Sequence, residues 1–298
     1  MNNRDTFSGC HPIVNFVYFA LVIAFAMVFT HPVCLASSLF CAFAYSIYLK
    51  GRKAIRAGLT YMLPTLVFAA LVNPAFNHEG GTILAYLPGG NPLTLESIAY
   101  GAAAAVMLVT VITWFSCFNE VVTSDKFVYL FGRVIPALSL ILSMTLRLVP
   151  RFKTQIKVVS NAQKCVGRDV SNGSVLRRAR HGIKILSIMV TWALENAIET
   201  ADSMKSRGYG LPGRTAFSIY RFDRRDAKTL AFLLLCGAYI AVGSATGGLY
   251  FRYFPTVKGR WGGVYTASIF LAYFALGAAP LIMNLREDHK WRSLALKT

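Results

Sequence analysis

Six stretches of the chain, residues 13–30, 32–49, 59–77, 97–118, 229–251 and 264–285, contain no Asp, Glu, Lys or Arg. Each has about the length of roughly 20 mostly apolar residues that a helix needs to cross a bilayer. A helix buried in a soluble core is shorter and keeps a polar stripe. The pattern therefore predicts six membrane-spanning helices. His31-Pro32 separates the first two by a tight hairpin. The first run is long, lacks an A-x-A cleavage site and leads at once into the second, so it is not read as a signal peptide.

Between the fourth and fifth runs the period changes. Residues 120–228 carry two helical stripes with spacings of three and four. One runs through Leu148, Phe152, Ile156, Val159 and Ala162; the other through Ile183, Leu186, Val190, Ala193, Ala197, Ala201 and Met204. Asn172-Gly173 between them is a turn signal. The pattern predicts two long amphipathic helices, packed on each other or lying on a membrane surface. Pro136 and Pro150 bracket a shorter apolar stretch, 137–149, read as an interfacial or docking helix rather than a span. The fold class is an all-α polytopic membrane protein: an N-terminal membrane part (1–119, four spans), a middle domain of long amphipathic helices (120–228) and a C-terminal membrane part (229–298, two spans).

Composition agrees. Of 298 residues 55% are hydrophobic and only 15% charged, against about 25% charged in a soluble domain. Disorder is excluded by the same balance. The net charge is +18, and the stretch 147–228 alone holds 17 Lys and Arg against six Asp and Glu. The positive-inside bias then sets the topology. Lys50, Arg52, Lys53 and Arg56, the middle domain and the basic tail from Arg286 to Lys297 lie inside, and the Lys- and Arg-free loop 77–96 lies outside. Arg252, Lys258 and Arg260 are the exception, falling outside in this frame. Anionic lipid headgroups account for part of the inner charge, including Arg177, Arg178 and Arg180. Aromatics are scarce between the charges, which argues against nucleic acid.

Several chemistries are not encoded. No P-loop motif occurs, so the chain has no such ATP site of its own. Gly208, Gly210 and Gly213 fit G-x-G-x-x-G but follow a helix pattern, not a strand. The six cysteines form no CxxC pair and the five histidines no ligand spacing, so no metal or cofactor site is expected. Asn172-Gly173-Ser174 fits a glycosylation acceptor but falls on the inner side. No carboxylate lies within a span, where an ion-coupled carrier usually needs one. An enzyme would need a cluster of acids or histidines near one interface.

The sharpest local feature is the end of the second long helix, Ser206-Arg207-Gly208. An Arg before a capping Gly puts a cation at the negative end of a helix. This triplet resembles the second Ala/Ser-Arg-Gly signature of the transmembrane T component (EcfT/CbiQ-like) of energy-coupling factor (ECF) transporters. The stretch from Asn161 to Asp169 lies where that family carries its first signature. Asn73-Pro74-Ala75-Phe76-Asn77-His78 with Gly80, and Leu146-Arg147-Leu148-Val149-Pro150, are similar to the family as well.

The resemblance implies a membrane scaffold of an importer of vitamins or metal ions in a bacterial or archaeal cell membrane. It implies two ABC-type ATPase subunits gripped by the inner helices and a small substrate-binding membrane (S) subunit held beside them. Carried over, Ser206, Arg207 and Gly208 dock one ATPase. At the first signature Cys165 and Val166 stand where Ala and Arg are expected, and only Gly167 matches. Either Arg168, one residue on, substitutes there, or that contact is weak. The competing class, a substrate-binding membrane subunit or stand-alone carrier, predicts a polar pocket among the spans and a short inner portion.

Overall fold

The computed structural model describes residues 5–86, 92–132, 136–168, 174–211 and 220–295. The chain divides into two compact units, one formed by Met1–Thr123 with Tyr220–Thr298 and the other by Ser124–Ile219. The Asn172-Gly173 turn and Gly213 lie outside the described residues.

All six charge-free runs are helical. The first unit contains α1 (Pro12–Val28), α2 (Pro32–Lys50), α3 (Arg52–Ala57), α4 (Leu63–Phe76), α5 (Leu95–Val121), α9 (Arg224–Ala245) and α10 (Val264–Ala295). A π-helical turn, Gly58–Met62, joins α3 to α4. Its Gly58 has no room for a side chain, since a Cβ there would lie 2.9 Å from the Phe43 ring. Pro32–Lys50, Arg52–Phe76, Leu95–Val121, Arg224–Ala245 and Val264–Lys290 are long and apolar enough to cross a membrane. α1 is equally apolar but has 17 residues, about 26 Å at 1.5 Å per residue. Arg224–Lys228, read from sequence as part of the middle domain, are the first residues of α9.

α5 packs against α1, α2 and α4; α2 also packs on α10, and α9 on α10 and α1. Trp114, Tyr18, Phe19, Tyr45 and Phe7, all fully buried, meet at this centre. Their rings contact edge to face, Phe7–Tyr18 at 5.1 Å and Tyr18–Trp114 at 5.9 Å. Two of the polar atoms buried with them find partners, as an apolar surrounding demands. Trp114 Nε1 donates to Ser38 Oγ (3.0 Å) and Tyr18 Oη to the Gly277 carbonyl (2.9 Å).

Both N-terminal spans start with His-Pro, and both use it alike. The imidazole Nδ1 of His11 accepts the Ile13 N–H, that of His31 accepts the Val33 N–H, and Pro12 and Pro32 open the helices. Histidine here is a cap, and proline at the first position forfeits no helical bond.

The loops expected to share one side of the membrane converge on one end of this unit. Tyr253 Oη donates to the Thr30 carbonyl, and the Gly81 N–H to the Pro255 carbonyl. His31 packs against Phe251, Trp261 and Phe270. Lys50 and the N- and C-terminal segments gather in other contacts: the Phe7 N–H donates to Asn284 Oδ1, Tyr48 Oη to Asp288, and Lys50 Nζ to Ser116. Alternating spans require this grouping of loops.

The second unit contains α6 (Ser124–Gly132), α7 (Pro136–Cys165) and α8 (Val175–Ser206). Here the sequence reading needs correction. The stretch 137–149 is not a separate short helix, because α7 continues through Pro150 for 30 residues. Proline removes one helical N–H and strains the preceding turn, yet a long helix absorbs one such defect. The packed face of α8 also differs from the expected stripe. Ile185 and Met189 are buried and Trp192 half-buried, whereas Ile183, Leu186, Val190, Leu194 and Ile198 are exposed. On α7, Phe152 and Val159 turn inward and Ile156 outward. Apolar residues cover more than one face of α8, so period alone does not select the one that packs.

Candidate functional site

Both long helices end in the same backbone device. At the end of α8 the Tyr209 N–H donates to the Met204 carbonyl and the Gly208 N–H to the Lys205 carbonyl, each at 3.0 Å. At the end of α7 the Arg168 N–H donates to the Gln163 carbonyl (2.9 Å) and the Gly167 N–H to the Lys164 carbonyl (3.0 Å). These are two Schellman caps, each closing on a residue in the left-handed region. Gly167 (φ +74°) and Gly208 (φ +78°) supply it, and a side chain at either would be strained. A Cβ on Gly208 would also press on Leu211 Cδ1 at 3.2 Å.

The caps fix what each end displays. Arg207 is the last half-helical residue of α8, with φ −86° and ψ 10°. Its side chain is exposed, as is that of Ser206, whose hydroxyl donates to the Ser203 carbonyl (2.9 Å). The guanidinium thus stands at the negative pole of a 32-residue helix, where a cation is favoured. At the α7 end the equivalent residue is Val166, 66% exposed. Arg168 follows the glycine and is half-buried; its counterpart on α8 is Tyr209. The structure therefore places Gly167 opposite Gly208 in role, and Val166, not Arg168, opposite Arg207. The alignment of Val166 with Arg207 is the one that the family resemblance implies from sequence, and the hydrogen bonds of the two caps give it a backbone basis.

The two ends are not brought together. α7 ends nine residues before α8 begins in the numbering (Cys165 to Val175 bracket them), and α8 then runs about 48 Å at 1.5 Å per residue. Ser206-Arg207-Gly208 and Gly167-Arg168 lie toward opposite ends of that helix. Between them, the Trp192 indole is gripped by α7: Phe152 meets it edge to face at 5.3 Å, and the Arg151 guanidinium lies 5.7 Å from its ring centre. Sequence reading missed this clamp; its signal was Trp192, the one Trp of α8.

The other motif stretches are structural. Asn73 Nδ2 donates to the Ser97 carbonyl (2.9 Å), and Ser97 Oγ to the Asn77 carbonyl (2.6 Å). The buried Glu96 carboxylate accepts the Thr82 N–H and hydroxyl. Gly80 (φ +146°) passes so close that a Cβ would lie 2.7 Å from Glu96 Oε2. Together these pin the loop and the antiparallel strands β1 (Ile83–Tyr86) and β2 (Pro92–Thr94) to the start of α5. Leu146–Pro150 lies inside α7. Among the described residues no three His, Cys, Asp or Glu side chains cluster as metal ligands would.

Comparison with known proteins follows the same residues. The family CbiQ, described as "Cobalt transport protein", matches residues 11–217. The chain is similar to the energy-coupling factor transporter transmembrane protein EcfT of Lactobacillus helveticus, 33% identical over 99 residues, which cover 33% of this chain and 36% of that protein. It thus spans about a third of that relative's length. Against the protein of the same name from Bacillus selenitireducens it is 27% identical over 214 residues, 68% of this chain and 76% of the relative. The Staphylococcus aureus protein of that name is 26% identical over 192 residues, 59% of this chain and 69% of the relative.

Proposed function

The chain belongs to the CbiQ family of cobalt transport proteins, and on that premise we propose that it is the scaffold that couples ATPase motion to uptake in an ECF-type importer of vitamins or metal ions. It is a multi-pass cell-membrane protein with several apolar helices. In the proposed role two ABC-type ATPases dock at the ends of α7 and α8, and a small substrate-binding membrane subunit sits against the assembly and selects the cargo. The relatives named above are transporter transmembrane proteins. The chain itself performs no hydrolysis in this reading; it transmits force.

The observation that carries this reading is the pair of identical caps. Each holds a short display of side chains rigidly at a helix end, and α8 spaces the displays by tens of ångströms, enough for two separate globular partners. Ser206, Arg207 and Gly208 form one docking point; Gly167 and Arg168 belong to the other. Arginine suits the task because its planar fork pairs with carboxylates and carbonyls in fixed geometry, where lysine offers a mobile point charge. A side chain of this kind, inserted in a partner's groove, commonly dominates an interface. When ATP closes the ATPase pair, the two ends move, and the α7–α8 pair, locked at Trp192, carries the motion to the membrane unit.

Among the described residues, one cavity in the helical bundle, lined by Val22, Ser37, Ser38, Cys41 and Tyr273, has a volume of about 10 Å³, room for about one water. Purification of the tagged chain from native membranes tests the proposal. Two ATPase chains and one small hydrophobic subunit should accompany it in fixed ratio. Recovery of the chain alone, with transport activity after reconstitution, would refute it.

A further inference from the structure

One group of charges runs against the topology. The positive-inside bias keeps Lys and Arg out of outer loops, yet Arg252, Lys258 and Arg260 fall between α9 and α10, in a connection that lies outside in that frame. The structure gives this connection a definite shape. Strands β3 (Phe251–Arg252) and β4 (Lys258–Gly259) pair antiparallel, with Phe251 opposite Gly259 and Arg252 opposite Lys258. The Arg260 N–H donates to the Tyr250 carbonyl (3.1 Å) and extends the pairing by one step. Side chains alternate between the faces of a strand, so the hairpin sorts its residues. Phe251 turns inward, meeting the rings of His31 at 5.1 Å and Trp261 at 5.6 Å, and a Cβ on Gly259 would run into the Phe251 ring. Tyr250, Arg252, Lys258 and Arg260 share the other face, and all four are exposed.

Arg252 and Lys258 stand directly opposite each other, and like charges so placed destabilise a strand pair. The neighbouring chain offers no relief: there is no Asp or Glu between Asp226 and Glu287, and among the described residues none of the three cations is in an ion pair. Around them Tyr250, Val257, Trp261, Val264 and Tyr265 are exposed. Tyr and Trp favour the boundary between membrane and water, where an apolar ring with a polar edge meets both media. We infer that this face of the hairpin binds the phosphodiester headgroups of anionic phospholipids in the outer leaflet, with Arg252 and Lys258 sharing one phosphate and Arg260 beside them. A free anion answers the charges but leaves the aromatic and aliphatic rim in water; a lipid surface answers both. The hairpin is seated on the helical bundle through Phe251 and through the Tyr253 hydroxyl, which donates to the Thr30 carbonyl (2.9 Å). Headgroup binding therefore holds the connections α1–α2 and α9–α10 at one depth, independently of anything docked at the ends of α7 and α8.

Amide hydrogen exchange of the full chain in lipid nanodiscs tests the assignment, with phosphatidylglycerol discs compared to phosphatidylcholine discs of the same acyl chains. A phosphate between Arg252 and Lys258 relieves their repulsion, so the hairpin opens less often and its amides exchange more slowly. Peptides covering 250–261 should slow roughly threefold in phosphatidylglycerol, the scale of one cross-strand charge pair. The difference should shrink in R252Q, which removes the opposed pair, and vanish in R252Q/K258Q/R260Q; unchanged exchange across α5 verifies that each variant is folded. Equal exchange of the wild-type hairpin in the two lipids overturns the inference without any variant. A difference that survives undiminished in R252Q or in the triple variant overturns it as well, because the cations are then not what the lipid meets. Inorganic phosphate added to the phosphatidylcholine discs separates a soluble anion from a headgroup. If it slows the hairpin as far as phosphatidylglycerol does, the face is a site for free phosphate and the lipid assignment is wrong.

Discussion

The two units of this chain expose apolar side chains to comparable extent but for different ends. In the first unit Phe68, Leu71, Leu235 and Leu271 point outward from helices long and apolar enough to cross a membrane, which suits contact with lipid tails. Behind them lies a filled aromatic core in which Trp114, Tyr18 and Tyr45 are fully buried. In the second unit Ile183, Leu186, Val190, Leu194 and Ile198 are equally exposed, yet α8 also bears Arg177, Arg178, Arg180 and Lys184 near its start and Glu195, Glu199 and Asp202 further on. A hydrocarbon environment would reject those charges. Ile185 and Met189 are the buried apolar residues of this unit among those described. One region completes its packing within itself and lipid; the other, in the proposed role, is a pair of levers whose surfaces are left for partners.

Substitutions at four positions probe that contrast, in falling order of effect. Trp114→Ala removes the centre of the membrane core and a hydrogen bond to Ser38. It should cost about 3–5 kcal/mol, read as a collapse in the yield of folded protein in detergent. Arg207→Glu leaves the core untouched and reverses the charge at the α8 tip. Folded yield should be normal while ATPase affinity falls by about 2–4 kcal/mol, at least thirtyfold, and uptake is lost; Arg207→Lys should fall between. Wild-type uptake with Glu at 207 would remove this residue from the docking site. Trp192→Ala releases the contacts with Phe152 and Arg151, together about 1–2 kcal/mol. Coupling efficiency, measured as uptake per ATP hydrolysed, should drop severalfold with both ATPases still bound. Cys165→Ala changes an exposed side chain beside a cap whose backbone bonds it does not make, so stability should shift by under about 0.5 kcal/mol and uptake should persist.

Much of this architecture was legible in sequence because charge exclusion over 20 residues has few alternatives to a spanning helix. The six runs became six helices, and His31-Pro32 became a hairpin with the histidine as cap. Gly208 announced the cap of α8 through a rule that holds without tertiary context. What sequence did not disclose depends on choices between near-equivalent options. Pro150 is compatible with either a break or a strained continuation, and the packing of a 30-residue helix decided for continuation. α8 carries apolar residues on more than one face, and the fit of Trp192 between Arg151 and Phe152 selected the one containing Met189. Val166 and Arg207 share no residue type; the family resemblance aligns them, and the hydrogen bonds of Gly167 and Gly208 show the shared backbone geometry that residue types do not.

The central claim is that the capped ends of α7 and α8 are where ATPases bind. Amide hydrogen exchange of the purified chain, with and without its ATPases, tests it most directly. Binding should slow exchange in peptides covering 163–168 and 203–211 well beyond any change at 183–198. Unchanged exchange at both ends, in a complex shown to contain the ATPases, would contradict the account.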